Sequence, residues 1–147
     1  MTIQTITHLN FRGDAAAALA FYQAVFGGEL SAVTYQQAGQ VGDAADAQLL
    51  MWGQVASGDG FRVMAYDVPS GRAWAPGESP FFVVLSFSSH EVLRARWEGL
   101  CQGGQVLQPL GASGWSPLYG MVKDRFGVTW VLDGGRAVAT APAAASA

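Results

Sequence analysis

Near the start of the chain, apolar Leu9 and Phe11 alternate with polar His8 and Asn10. That is the period of a strand with one buried face. The period then lengthens. Leu19, Tyr22 and Phe26 recur at helical spacing through an Ala-rich run that follows Asp14 and stops at Gly27-Gly28. Asp14 is expected to be the N-cap, and the glycine pair an αL C-cap. The same order returns later. Leu85 and Phe87 alternate with Val84 and Ser86, Ser88 and Glu91 have capping-box spacing, and a helical stretch runs to about Gln102 before Gly103-Gly104. Its expected inner side is Leu93, Trp97, Leu100 and Cys101. The glycine pairs begin at Gly27 and Gly103, an offset of 76 residues, at which Leu9 also matches Leu85, Phe11 matches Phe87, Phe21 matches Trp97 and Leu30 matches Val106. A duplicated strand–helix–strand module accounts for the shared order.

Further strands are expected near Leu30–Gln36, Ala47–Trp52, Phe61–Tyr66, Gln105–Pro109, Tyr119–Lys123 and Val128–Leu132. Polar or Gly/Pro-rich loops are expected at Gln37–Ala45 and Val68–Pro80. The organisation is then a first module over residues 1–67, a linker loop at 68–80, a second module over 81–136 and a low-complexity tail at 137–147.

Composition narrows the classes of function. Half the residues are apolar and 13% are charged, which places the chain among folded proteins. Net charge is −3 and Lys123 is the only lysine, so no basic face is available for nucleic acid. Apolar runs are too short to span a bilayer, and the N-terminus lacks a signal-peptide layout. A cytoplasmic protein that binds neither membrane nor nucleic acid is expected. Cys101 has no partner cysteine and reads as a structural thiol on a helix. His8 and His90 are the only histidines, and no HExxH or CxxC pattern is present. The Gly103-Gly104 pair follows a helix instead of opening one, unlike a phosphate loop.

The stretches LNFRGDAAAALAFYQAVFGGEL, VMAYD, GGQVLQPL and WSPLYGMVKDRFGVTW together resemble the vicinal oxygen chelate superfamily, the glyoxalase, bleomycin-resistance and dioxygenase group, and within it the PhnB-like proteins. The resemblance covers most of Leu9 to Leu132. One departure is Trp115-Ser116, where the family usually has Trp-Gly. The resemblance implies an α+β fold: two βαβββ modules forming a cupped, mixed eight-stranded sheet with the helices outside. It also implies a homodimer.

Strand parity indicates which residues face away from the helices. Ile6, His8 and Asn10 share one face of the first strand, and Phe82, Val84 and Ser86 that of its counterpart. Thr129, Val131 and Asp133 do so on the last strand, and Arg62, Met64 and Tyr66 on the strand ending the first module. Metal-dependent members of the resembled family place one His or Glu ligand on each of these four strands. Carried over by strand position, those ligands fall on Ile6, Met64, Phe82 and Val131. None can ligate a hard cation, so no metal or other cofactor is expected.

The expected ligand contacts are Ile6, His8, Arg62, Met64, Tyr66, Phe82, Val84, Trp115, Tyr119, Thr129 and Val131. Mostly apolar walls with a few polar groups describe a small-molecule site, and Trp52, Trp74 and Trp115, on edges or loops, offer stacking surfaces. The reading is a metal-free protein that binds an aromatic or amphipathic small molecule. Two alternatives stay open: a metal-independent lyase or isomerase using His8, Tyr66 and Arg62, and a ligandless structural dimer module. No catalytic residue is assigned.

Overall fold

The computed structural model describes residues 2–135. The tail expected at 137–147 lies outside them. Two compact units divide the chain, Met1–Glu78 and Ser79–Ala147. The first contains β1 (Thr7–Phe11), α1 (Ala15–Phe26), β2 (Glu29–Thr34), a short 3-10 turn (Ala44–Asp46), β3 (Leu50–Ala56) and β4 (Arg62–Asp67). The second contains β5 (Val83–Ser86), α2 (His90–Cys101), β6 (Gln105–Gly111), β7 (Tyr119–Lys123) and β8 (Thr129–Asp133). Each is a βαβββ module, and the class is α+β. Hydrogen bonding assembles the eight strands as two sheets of four, ordered β1-β4-β3-β2 and β5-β8-β7-β6. In each, the first strand runs parallel to the last and the other pairs are antiparallel. Among the described residues no helix is long and apolar enough to cross a membrane.

In the first unit α1 buries Ala15, Ala18, Leu19, Tyr22 and Phe26. Leu9, Phe11, Leu50, Val55, Val63 and Ala65 are buried apolar residues of its sheet. Leu19 and Tyr22 are wholly buried, and removing each from water contributes roughly 2 kcal/mol. Close approach of helix to sheet depends on a missing side chain. A Cβ on Gly53 of β3 would stand 2.3 Å from Leu19 Cδ1. The second unit repeats the device, because a Cβ on Gly120 of β7 would stand 2.8 Å from two ring carbons of Trp97 on α2. The two glycines occupy the same node of their sheets. Gly53 pairs with Ala65, which pairs with Leu9; Gly120 pairs with Leu132, which pairs with Leu85. A glycine inside a strand here marks where a helix crosses.

The helix N-termini depart from expectation. The Asp14 side chain makes no cap hydrogen bond. Asp67, at the end of β4, replaces it: its Oδ1 accepts from the Gly13 N–H at 2.6 Å and the Ala15 N–H at 3.1 Å. Its Oδ2 accepts from the Leu50 N–H at 2.9 Å. Ser89, not the Ser88–Glu91 pair, caps α2, its Oγ accepting from the Val92 N–H at 3.2 Å. Ser89 has extended backbone, the conformation an N-cap needs, whereas Asp14 is already helical.

The αL C-cap is also corrected. Gly27 has φ 76° and ψ −171°, a region open to glycine but outside αL. At the end of α2 the cap residue is Gln102, with extended backbone, and Gly103 follows at φ 74°.

Strand β3 begins at Leu50, later than expected. The preceding segment forms a turn, with the Leu49 N–H donating to the Asp46 carbonyl at 2.9 Å, and the Leu50 N–H is taken by Asp67. Trp52 therefore sits on an inner strand instead of an edge or loop.

Candidate functional site

Burial follows the expected parity in β1 and β4, whereas β8 is buried on both faces from Thr129 to Leu132. In β4, Val63, Ala65 and Asp67 are buried while Arg62, Met64 and Tyr66 are not. In β1, Leu9 and Phe11 are buried while His8 and Asn10 are exposed. Register then aligns the open-face residues in rows. His8 pairs with Met64, Met64 with Gln54, and Gln54 with Ser31. The next row brings Asn10 beside Tyr66.

Three of the expected contacts thus converge in the first unit. The His8 ring meets the Tyr66 ring edge-on at 5.2 Å. His8 Nδ1 lies 3.0 Å from Asn10 Oδ1. An amide oxygen only accepts, so Nδ1 is the donor in this contact. Arg62 and Ile6 stand apart from this group. They line a cleft of about 330 Å³ at the other end of β4, where Arg62 Nη1 donates to Gln4 Oε1 at 3.3 Å.

Sequence reasoning missed part of the cluster. The loop after β4 returns to the open face beside Tyr66, and Arg72 Nη1 donates to the Tyr66 hydroxyl at 3.3 Å. Trp74 Nε1 donates to the Asn10 carbonyl at 3.2 Å. Arg72 carried no signal beyond its place in a Gly/Pro-rich loop, and nothing local tells which way such a loop folds.

In the second unit Val84 pairs with Val131, Val131 with Met121, and Met121 with Gln108. The neighbouring row joins Ser86, Asp133 and Tyr119. Trp115 is 58% exposed and meets Tyr119 edge-on at 5.2 Å. Phe82, just before β5, and Val84 are exposed, whereas Thr129 and Val131 are buried. Ser116 stands where the family usually has glycine, and its side chain is engaged. Its Oγ donates to Asp133 Oδ1 at 2.5 Å and accepts from the Leu118 N–H at 3.3 Å. Asp124 holds the turn before β8: its Oδ1 accepts from the Phe126 and Val128 N–H groups, and its Oδ2 from the buried Trp130 indole at 2.8 Å. Trp130 is therefore core.

Among the described residues two groups have displaced acidity. Burial first, then Tyr66, Asp46 and Asp67 nearby, hold the Tyr35 phenol above its ordinary 10.0, with Arg72 pulling the other way. Burial raises the Cys101 thiol as well, which keeps it protonated and unreactive at neutral pH.

A divalent cation would need several hard donors on the four outer-pair strands. Register places His8 opposite Met64 and Val84 opposite Val131, while Ile6 and Phe82 lie just before their strands. Neither pair, an imidazole with a thioether nor two valines, supplies several hard donors. Among the described residues no three His, Cys, Asp or Glu side chains gather.

Solved structures share this fold. Protein PA1353 from Pseudomonas aeruginosa is 28% identical with a TM-score of 0.77, the match covering 90% of this chain and 97% of that one. A PhnB protein from Bacillus cereus is 22% identical with a TM-score of 0.66, covering 89% and 98%. The fosfomycin resistance protein FosX from Listeria monocytogenes, solved with Mn(II) and dihydroxypropylphosphonic acid, is 14% identical with a TM-score of 0.61, covering 92% and 94%. Among curated proteins, none matches the chain. The family profile that matches spans residues 5–132, which with the paired βαβββ modules places this chain in the Glyoxalase/Bleomycin resistance protein/Dioxygenase superfamily.

Proposed function

We propose that this protein binds a small molecule on its open sheet faces and does so without a divalent metal. The observation that carries the reading is the donor set at the two parallel strand pairs, His8 with Met64 and Val84 with Val131. Apolar and thioether groups favour an organic ligand over a stripped cation. Exposed Phe82, Val84 and Trp115 add apolar and aromatic surface. The same reading takes the protein to be a cytoplasmic homodimer. Native mass spectrometry of freshly purified full-length protein tests it. The expected result is a dimer without stoichiometric divalent ion, carrying a co-purified organic molecule or taking one up from an aromatic library. One tightly held divalent ion per chain would overturn the metal-free reading, and a protein that takes up no library member is the ligandless structural module.

The ring contact between His8 and Tyr66 favours a second reading, a metal-independent acid–base enzyme. Arg62 does not join that pair, being held by Gln4. Conversion of a bound ligand by the wild-type protein, lost in His8→Gln, would establish it.

A further inference from the structure

The loop after β4 is built more firmly than a connector requires. Arg12 donates through Nε to the Val68 carbonyl at 3.3 Å and through Nη2 to the Pro69 carbonyl at 3.2 Å and to the Arg72 carbonyl. The Val68 N–H donates to the Phe11 carbonyl at 2.7 Å. From the other side, buried Asp46 accepts from the Ser70 N–H at 3.0 Å and the Ser70 hydroxyl at 2.9 Å. These bonds fix the loop against the edge strand β1, and its far end delivers two side chains to the open face. Trp74 is half-buried, its N–H on Asn10 and the Arg12 guanidinium 5.8 Å from its ring centroid. Arg72 is exposed, and among the described residues its guanidinium makes one hydrogen bond, to the Tyr66 hydroxyl.

The result is an unbalanced group. A guanidinium has five donors in a planar fork, and a single phenol satisfies one of them. Asp46 and Asp67, the carboxylates beside Tyr35, are both buried and engaged by N–H or hydroxyl donors. Beside the fork lie a tryptophan ring and a histidine–tyrosine pair, and the supporting bonds are made before any ligand arrives. Preorganised donors of this kind hold a planar oxyanion at low entropic cost.

We propose that Arg72, Trp74, Tyr66 and His8 form a site for an aromatic carboxylate. Arg72 takes the carboxylate by its fork, Trp74 offers its ring to the aromatic part, and Tyr66 with His8 bounds the far side. Arg12 is a positioning residue that holds the loop. This inference rests on the small-molecule reading and names the ligand class it implies.

Titration of the full-length protein with naphthoate, its neutral isostere naphthamide, and the non-aromatic cyclohexanecarboxylate tests it. Calorimetry gives affinity, and the Trp74 indole NMR resonance locates the binding. Naphthoate is expected to bind roughly tenfold or more tighter than naphthamide, and Arg72→Ala to erase that difference. Trp74→Leu should weaken naphthoate by about tenfold while leaving cyclohexanecarboxylate nearly unchanged. Arg12→Lys should lower affinity for both naphthyl probes and preserve their ratio, because it loosens the loop without removing Arg72. Melting curves establish that each variant is folded, and Arg72→Lys, which keeps the charge but not the fork, should fall between wild type and Arg72→Ala. Equal affinity for naphthoate and naphthamide would overturn the carboxylate site and leave the small-molecule reading standing. So would failure of all three probes to saturate, since the native mass measurement reports ligand uptake independently.

Discussion

Across the open face of the first sheet runs His8, Met64, Gln54, Ser31; across the second, the row at the same place is Val84, Val131, Met121, Gln108. The modules thus repeat a backbone and differ in what they mount on it. Around the first row stand Asn10, Tyr66, Arg72 and Trp74, joined by hydrogen bonds. Around the second stand Ser86, Asp133, Tyr119 and the exposed Trp115. The same division appears at the helix starts. Phe11 pairs with Asp67, whose carboxylate holds three backbone N–H groups. At the corresponding step beyond β8 stands Gly134, where a Cβ would meet the His90 ring at 2.7 Å, and Ser89 caps α2 from within its own segment. A repeated fold therefore does not imply a repeated network: one module ties its helix to its last strand, and the other leaves the helix to cap itself.

Substitutions can break this contrast. Asp67→Ala should have the largest effect, above about 3 kcal/mol, because it strands three N–H groups around one buried carboxylate. Urea unfolding measures it, and a loss no greater than that of Ser89→Ala would remove the asymmetry. The glycine node should answer alike in both modules. Gly53→Ala and Gly120→Ala each force a methyl against a packed side chain, Leu19 or Trp97, at a cost of about 1–3 kcal/mol. A neutral result at either position would end the equivalence of the two nodes.

Tyr35→Phe removes the hydroxyl that donates to the Asp67 carbonyl at 2.7 Å and should cost about 1 kcal/mol. It should also change the alkaline limb. The folded phenol titrates above 10.0, so the unfolded chain loses that proton first. The stability Tyr35 contributes is complete below 10.0 and is lost as pH rises through the folded value. Thermal melts between neutral pH and pH above the phenol range should show a decline in wild type that is shallower in Tyr35→Phe. Ser89→Ala should be the smallest change, about 1 kcal/mol or a little less, detected as a modest fall in the urea midpoint.

Much of the fold was legible because its signals are local. Strand parity at His8–Phe11 and Arg62–Asp67 follows from period-two alternation, and the helices from apolar spacing and their glycine stops. The Asp124 turn is of the same local kind, since its side chain reaches N–H groups two and four residues on. The start of β3 could not, because Asp67 sets it from another strand. The Asp14 and Ser88 caps failed for a related reason: several polar residues near a helix start can cap it, and backbone conformation decides among them. In the candidate site, His8, Met64 and Tyr66 follow from parity, whereas Arg72 and the direction of Trp74 do not. Arg62 shares the strand face but is turned to Gln4.

Sequence alone determined the duplicated module, the faces of β1 and β4 and the scarcity of metal-ligating side chains, and the family resemblance implied the α+β class. The first three depend on periodicity or residue type, which adjacent positions carry. Tertiary structure decided the register that sets His8 against Met64 and Val84 against Val131, the capping of α1 by Asp67, and the gathering of Arg72 and Trp74 beside Tyr66. These depend on hydrogen bonds between residues far apart in the chain, and no local pattern encodes which distant donor meets which acceptor.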